Sequence, residues 1–393
     1  MNNAVIVDAL RTPSGKGKPG GALSGIHPAD LLSHVLRALL ERNDLDPALV
    51  DDVIGGCVDQ AGEQALNITR TAVLGAGFPE TVPATTVDRQ CGSSQQAAHF
   101  AAQGIMAGAY DIAIACGVES MSRVPMGSTT LGKNPHGTAM AARFPDGLVN
   151  QGISAEIIAA HWDLDRSTLD EYAARSHTRA AETAAAGGFD AETVPVDIGG
   201  PQAVTKDETI RASTTAEGLA ALKPAFTDPE LGERFPEIDW RITPGNSSPL
   251  TDGASAVLIM SEASANALGL RPLARFHTFA VTGSDPLLML TGVIPASRRA
   301  LERSGLSLDQ IDAYEVNEAF APVPLVWQRE LDADPARLNP RGGAIALGHP
   351  LGASGTRLLT TLVHHLQATG GRYGLQTMCE AGGMANATII ERL

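Results

Sequence analysis

The two ends of this chain repeat one another. RALLERNDLDPALVDDVIGGCV runs from Arg37 to Val58, and RALERSGLSLDQIDAYEVNEAF runs from Arg299 to Phe320. Leu45 matches Leu306, Val50 matches Ile311 and Asp51 matches Asp312, each pair 261 residues apart. Both copies read as helix, turn, helical turn and buried strand. The same offset carries Cys91 to Gly352, just after Gly348-His349-Pro350. It carries Glu119, after an expected strand from Asp111 to Cys116, to Glu380, after one from Gly374 to Met378. Agreement at one offset across several elements marks a duplicated unit. Strand and helix patterns alternate within each copy, which predicts two layered α/β units with mostly parallel strands.

Between the copies the character changes. Gly132-Lys133-Asn134-Pro135-His136-Gly137 and Gly199-Gly200-Pro201 break up helical stretches at Ser154 to His161 and Ser167 to Ala186. This reads as an inserted domain. The expected division is a first half at residues 1–119, completed by about 250–270, an insertion at 120–249 and a second half at 271–393. Ala256-Val257-Leu258-Ile259-Met260 is the buried strand expected to return to the first sheet.

Composition narrows the function. The formal net charge of -15 argues against nucleic acid and against an anionic membrane. An anionic ligand then needs a local basic patch. Four cysteines in 393 residues are no disulfide framework, which points to a reducing compartment. Met1 to Asp8 reads as a first strand and not a signal peptide, and no apolar run has membrane-spanning length. The expectation is a soluble cytoplasmic protein.

Four places carry chemistry. Cys91 follows the extended run Thr85-Thr86-Val87-Asp88 and precedes a helix whose apolar face is Ala98, Ala101, Ala102 and Ile105. A helix start offers free N–H groups and a positive dipole end, which favour a nucleophilic thiolate. The competing reading is a buried structural thiol. Asn317-Glu318-Ala319-Phe320 follows the strand Ala313 to Val316, where α/β folds keep ligand sites, or else Asn317 caps a helix. His349 sits in the glycine-rich run Gly342 to Gly352, before a helix with the face Leu359, Leu362, Val363 and Leu366. Its side chain suits proton transfer near neutrality, or else packs or caps. No Lys-Ser/Thr follows those glycines, so they are no P-loop. Cys379, before Glu380-Ala381-Gly382-Gly383, is a second acid/base or a buried thiol. Cys91, His349 and Cys379 together make a nucleophile, its base and a further acid. Cys57 and Cys116 read as buried thiols, and no Cys/His spacing makes a zinc site.

VDRQCGSSQQA around Cys91, Asn317-Glu318-Ala319-Phe320, Gly348-His349-Pro350 and the Cys379 turn resemble the thiolase family over essentially the whole chain. That family comprises acetyl-CoA acetyltransferases and 3-ketoacyl-CoA thiolases. The resemblance implies a five-layered αβαβα core of two α/β halves, with a loop domain in the first half that binds coenzyme A. It implies a homodimer or homotetramer, and CoA and acyl-CoA as substrates with no resident cofactor or metal. By position, Cys91 is implied as the acylated nucleophile, His349 as its base and Cys379 as the second acid/base. Asn317 would hold a water that forms one oxyanion hole with His349. The backbone N–H groups of Cys91 and Ala381 would form the other. Arg211, Ser248, Ala319 and Phe320 match CoA-contacting positions.

Three departures stand out. Ala381 replaces the family's usual glycine and must suit a Cβ. Asn150-Gln151-Gly152 stands where acetyl-specific members carry His-Met-Gly, which argues against acetoacetyl-CoA as substrate. Gly292-Val293-Ile294-Pro295 stands where the family commonly has Gly-Pro. The ending GLQTMCEAGGMANATIIERL resembles degradative actinobacterial-type thiolases, some acting on bulky or ring-derived acyl-CoAs. The expected activity is CoA-dependent cleavage of a 3-oxoacyl-CoA. The alternatives are biosynthetic Claisen condensation by the same residues and a thiolase-like binding protein without catalysis.

Overall fold

A computed structural model describes residues 3–200 and 202–393. Met1 and Asn2 of the expected first strand, and Pro201 of the Gly199 break, lie outside the described residues. The first half runs β1 (Ala4–Arg11), β2 (Gly15–Lys16), α1 (Pro28–Arg42), β3 (Asp52–Gly56), α2 (Ile68–Gly75), β4 (Ala84–Val87), α3 (Ser93–Ala107) and β5 (Ile112–Ser120). Then come α4 (Thr138–Arg143), α5 (Gln151–His161), α6 (Arg166–Ala185), α7 (Ala216–Ala220) and α8 (Pro229–Arg234). β6 (Thr251–Ser261) and α9 (Glu262–Ala267) follow. The second half runs β7 (Ala274–Gly283), α10 (Val293–Ser304), β8 (Ala313–Val316), α11 (Pro322–Leu331), α12 (Ala344–Leu347), α13 (Ser354–Thr369), β9 (Tyr373–Glu380) and β10 (Met384–Arg392).

The duplication is visible in the strand order, β4-β3-β5-β6-β1-β7-β10-β9-β8, with β2 beside β6. Read from each outer edge, β3-β5-β6-β1 and β8-β9-β10-β7 are the same arrangement. In the sheet the halves pair through Val5↔Arg275 and Ile6↔Ala274. α12 stands where the 261-residue offset would put β4, so among the described residues the second half has no counterpart of that edge strand.

The expectation of mostly parallel strands is corrected. β3–β4, β3–β5 and β8–β9 are parallel, whereas β1–β6, β5–β6, β1–β7, β7–β10 and β9–β10 are antiparallel. The cause is connection length. Only Ala381 to Gly383 separates β9 from β10, too short for a crossover. β5 and β6 are also hairpin-like partners, with Ser120 opposite Asp252, and the segment between them is one long excursion from that hairpin.

Helices cover both outer faces and fill the middle. α1 and α2 pack Leu32, Leu36, Ile68 and Val73 on the first half, and α10 and α11 pack Val293, Val323 and Trp327 on the second. α3 and α13 form the central layer, and the expected faces Ala98, Ala101, Ala102, Ile105 and Leu359, Leu362, Val363, Leu366 all lie in it. Their approach is close: a Cβ on Gly355 would stand 2.0 Å from the Gln95 nitrogen. β1 shows how a strand serves two layers. Ala4 and Ile6 face the central layer and Val5 and Val7 the outer one, by two-residue alternation. A bulge between Ile6 and Asp8 then switches the parity, so that Ala9 faces inward and Leu10 outward.

The inserted segment is tied to β1 by a buried ion-pair group. Arg11 Nε donates to Glu192 at 2.6 Å and Nη1 to Asp207 at 2.7 Å. Removing one partner from such a group would leave an uncompensated buried charge. Nearby, the Arg211 N–H donates to His177 Nδ1 at 3.2 Å.

Candidate active site

Cys91 lies in a pinned turn between β4 and α3. Gln90 adopts the left-handed φ of 50°, a strained value for a side chain with a Cβ. Asp88 Oδ1 accepts its N–H at 2.6 Å, and Ser93 Oγ donates to its carbonyl at 2.5 Å. α3 begins at Ser93, as the sequence indicates, but the expected thiolate is not the resting form. Burial, with Glu380 and Glu119 adding to it, pushes the Cys91 thiol up to about 12. That rise corresponds to about 4 kcal/mol against ionisation. A helix end typically gives about 0.3–1 kcal/mol the other way. Cys91 therefore rests as a neutral thiol, and a nucleophilic role would require a base.

His349 has the environment of an unprotonated imidazole. Its backbone N–H donates to Thr251 Oγ1 at 2.9 Å. Ser354 Oγ donates to the Pro350 carbonyl at 2.9 Å, which uses its one proton. The 2.6 Å contact between Ser354 Oγ and His349 Nδ1 is then donated by Nδ1–H. Nε2 is left unprotonated, with Asn317 Nδ2 at 3.4 Å. Burial, and then the Arg357 charge, lower the imidazole to about 3. His349 is a neutral imidazole with its tautomer set by Ser354. Ser354→Ala is expected to lower kcat about tenfold with an unchanged KM for CoA, and Ser354→Thr to restore it. Steady-state kinetics at saturating substrate would measure this, and an unchanged kcat would exclude the tautomer role.

Glu119 holds the turn that carries His349. It accepts N–H groups from Val58 (2.9 Å), Asp59 (3.1 Å) and Gly352 (2.8 Å), and the Gln64 amide at 2.8 Å. A carboxylate of the first half thus binds the glycine of the second half that matches Cys91. Glu380, its counterpart, lies beside the Cys91 turn. Neither of its buried oxygens has a hydrogen-bond partner among the described residues, and burial lifts it to about 8.

Cys379 stands on β9, fully buried, its thiol raised by burial and then by the neighbouring Cys91 and Glu380 charges. Asn317 is no helix cap: α11 starts five residues later, with Ala321 at its cap position. Its Oδ1 is buried and has no partner among the described residues, which leaves it able to hold a water. Ala381 is accommodated because the left-handed positions of its turn fall on Gly382 (φ 82°) and Gly383 (φ 76°). The remaining cysteines are buried; Cys57 contacts Glu119 at 3.7 Å, and Cys116 lies within β5.

A cavity of about 240 Å³ opens on His349 and is lined by Gln151, Ser248, Ala319, Phe320 and Met121 among others. Ser248 Oγ donates to the Ala319 carbonyl at 3.2 Å, and Phe226 packs edge-on to Phe320 at 6.0 Å. A second hollow of about 410 Å³ holds Arg211, Lys16 and Lys18, and shares Pro249 and Leu250 with the first. Cys91 packs with Met121 and Leu351, which also line the first cavity. His349, Ser248, Ala319 and Phe320 thus line one cavity, Cys91 packs behind its Met121 and Leu351 wall with Cys379 as its neighbour, Asn317 stands against His349, and Arg211 lies at the adjoining hollow. Sequence reading missed Ser354, Glu119's role, Gln151's place in the cavity wall and Lys16 and Lys18. Of these, Lys16 and Lys18 carried a signal, the basic glycine-rich run Gly15-Lys16-Gly17-Lys18.

Duplicated α/β halves that meet around cysteine and histidine define an acyl-transfer class of enzyme. The family model for the thiolase N-terminal domain matches residues 4–263, and that for the thiolase C-terminal domain matches 270–392. Steroid 3-ketoacyl-CoA thiolase FadA6 of Mycobacterium tuberculosis is 50% identical, with 100% of this chain and 95% of that protein covered. A 3-ketoacyl-CoA thiolase of Serratia proteamaculans is 45% identical, with both chains covered at 100%. The crystal structure of the Bacillus anthracis acetyl-CoA acetyltransferase superposes with a TM-score of 0.88 at 38% identity, covering 100% of this chain and 99% of that one. The chain belongs to the thiolase family, whose members are acyltransferases. Among the described residues no helix is long and apolar enough to cross a membrane.

Proposed function

We propose that this chain is a degradative thiolase that cleaves 3-oxoacyl-CoA with CoA into acetyl-CoA and a shortened acyl-CoA. The observation that supports the reading is that Cys91 packs against Met121 and Leu351, which line the cavity that opens on His349, with Cys379 next to Cys91 and Asn317 Nδ2 3.4 Å from His349 Nε2. His349 Nε2 takes the Cys91 proton, and the sulfur attacks the 3-oxo carbon. The C2–C3 bond breaks and its electron pair passes to the acetyl-CoA enolate. Cys379 protonates the enolate carbon, and acetyl-CoA leaves. CoA then enters, and Cys379 takes its thiol proton. The CoA sulfur attacks the Cys91 thioester, and Cys91 departs and recovers its proton from His349. A water on Asn317, with His349, stabilises one developing oxyanion, and the N–H groups of Cys91 and Ala381 the other.

The inserted residues 120–249 serve as the CoA-binding part. Ser248, Ala319 and Phe320 contact the arm that enters the cavity. Arg211, joined by Lys16 and Lys18, meets the phosphates and supplies the positive charge that an acidic chain otherwise lacks. Cleavage is favoured over condensation by relatives named for 3-ketoacyl-CoA, one of them for steroid substrates. The working form is a homodimer or homotetramer in the cytoplasm. Thiolysis rates over a panel of short, long and ring-bearing 3-oxoacyl-CoAs test the reading. Long or ring-bearing substrates are expected to turn over faster than acetoacetyl-CoA, with one acetyl-CoA released per turnover. Activity on acetoacetyl-CoA alone would contradict it.

A further inference from the structure

The cavity beside His349 has a mostly apolar wall, built from Met121, Met126, Phe226, Leu250, Phe320 and Leu351. Most of its polar side chains are already engaged. Ser247 Oγ donates to the Thr243 carbonyl at 2.8 Å, and Ser248 Oγ to the Ala319 carbonyl at 3.2 Å. His349 is held by Ser354 at Nδ1 and faces Asn317 at Nε2.

Gln151 is the exception. It is half-buried, lines the same cavity, and no group among the described residues stands in hydrogen-bonding geometry to its carboxamide. Its placement is rigid. It is the first residue of α5, and Asn150 Oδ1 caps that helix by accepting the Ile153 N–H at 3.1 Å. Ser154 Oγ donates to the Leu287 carbonyl at 2.7 Å, which binds α5 to the second half. Gly152 lets the helix start close against the cavity wall, because a Cβ there would stand 2.3 Å from the Phe226 ring.

A carboxamide brings two N–H donors and a carbonyl. A hydrocarbon that fills the cavity strips water from these groups and returns nothing, which is unfavourable. A ligand oxygen in the same place keeps them paired. The wall holds no Lys or Arg; Lys16, Lys18 and Arg211 belong to the adjoining hollow, which Gln151 does not line. A carboxylate would therefore enter without a counter-charge. The fitting partner is an uncharged oxygen at the His349 end of the ligand.

We propose that Gln151 is a specificity-determining residue: its carboxamide hydrogen-bonds a keto or hydroxyl oxygen carried by the acyl group beyond the reacting 3-oxo carbon. The preferred substrates are then oxygenated 3-oxoacyl-CoAs, and plain hydrocarbon ones are disfavoured. The inference rests on the thiolysis reading and deepens it.

The test measures kcat/KM for thiolysis of a cyclohexyl-bearing 3-oxoacyl-CoA and of its ring-keto isomers. At least one isomer is expected to exceed the parent compound roughly tenfold or more, since a site with a polar group to pair rejects the analogue that lacks the partner. Gln151→Met keeps an unbranched chain of similar length without the donors. It is expected to bring that ratio to within about twofold, with the larger loss on the keto isomer. Thermal melts confirm folding, and Gln151→Leu takes the place of Gln151→Met if the latter is unstable. Equal rates for the parent and every isomer in the wild type would overturn the proposal. So would a loss in the variant shared equally by parent and isomer, which would put the amide on the CoA arm or the reacting carbonyl. Absence of thiolysis with every compound would instead overturn the thiolysis reading.

Discussion

A Cys91→Ala variant is expected to lose thiolysis roughly 10⁴-fold or more while folding normally. No other cysteine can take over. Cys379 is its neighbour, but it lies on β9 and not at the head of α3, and in the proposed reaction its proton is needed at the substrate carbon. Cys57 and Cys116 are buried, and Cys57 is held against Glu119. The structural cost is small. The Cys91 sulfur packs with Met121, Leu351, Leu358 and Met378. Loss of one such atom costs about 1 kcal/mol. Thermal melts and turnover measured on the same preparation separate the two effects. Residual activity near wild type would exclude Cys91 as nucleophile.

A His349→Gln variant is expected to lose roughly 10²–10⁴-fold. The Cys91 thiol, pushed up to about 12, ionises very rarely at neutral pH without a base. In the variant, Cys91 alkylation should follow the thiol's own ionisation and climb steadily into alkaline pH. The substitution also tests stability. The folded imidazole sits at about 3, below its ordinary 6.5, so between these values the unfolded chain binds the extra proton. The folded protein loses stability as pH falls through that window, and His349→Gln should lessen the loss. Urea midpoints at pH 7 and pH 5 measure it. His99, lowered likewise to about 3 by burial, keeps part of the acid sensitivity in place.

The duplication made most of the architecture legible, because a repeated unit constrains order, layers and the facing of its turns. Strand direction was not legible. Local periodicity says that Ala256 to Met260 is buried but not which way it runs beside β5. The missing counterpart of β4 was equally hidden, since Ala344 to Leu347 coil into α12 instead. At the site, residue identity was readable where chemistry is rare in the sequence, as at Cys91, His349 and Cys379. What was not readable depended on approach in space. Burial reversed the expected ionisation of Cys91. Ser354 assigns a proton only because it folds back on His349. Ala381 was readable as a departure, but its tolerance follows from φ values carried by the next two glycines.

The most direct measurement is intact and peptide mass spectrometry of the enzyme mixed with a 3-oxoacyl-CoA in the absence of free CoA. The expected result is one shortened acyl group per chain, carried on Cys91 and discharged when CoA is added. An acyl group on Cys379, or release of acetyl-CoA with no acylated chain, would contradict the assignment of Cys91 as the nucleophile.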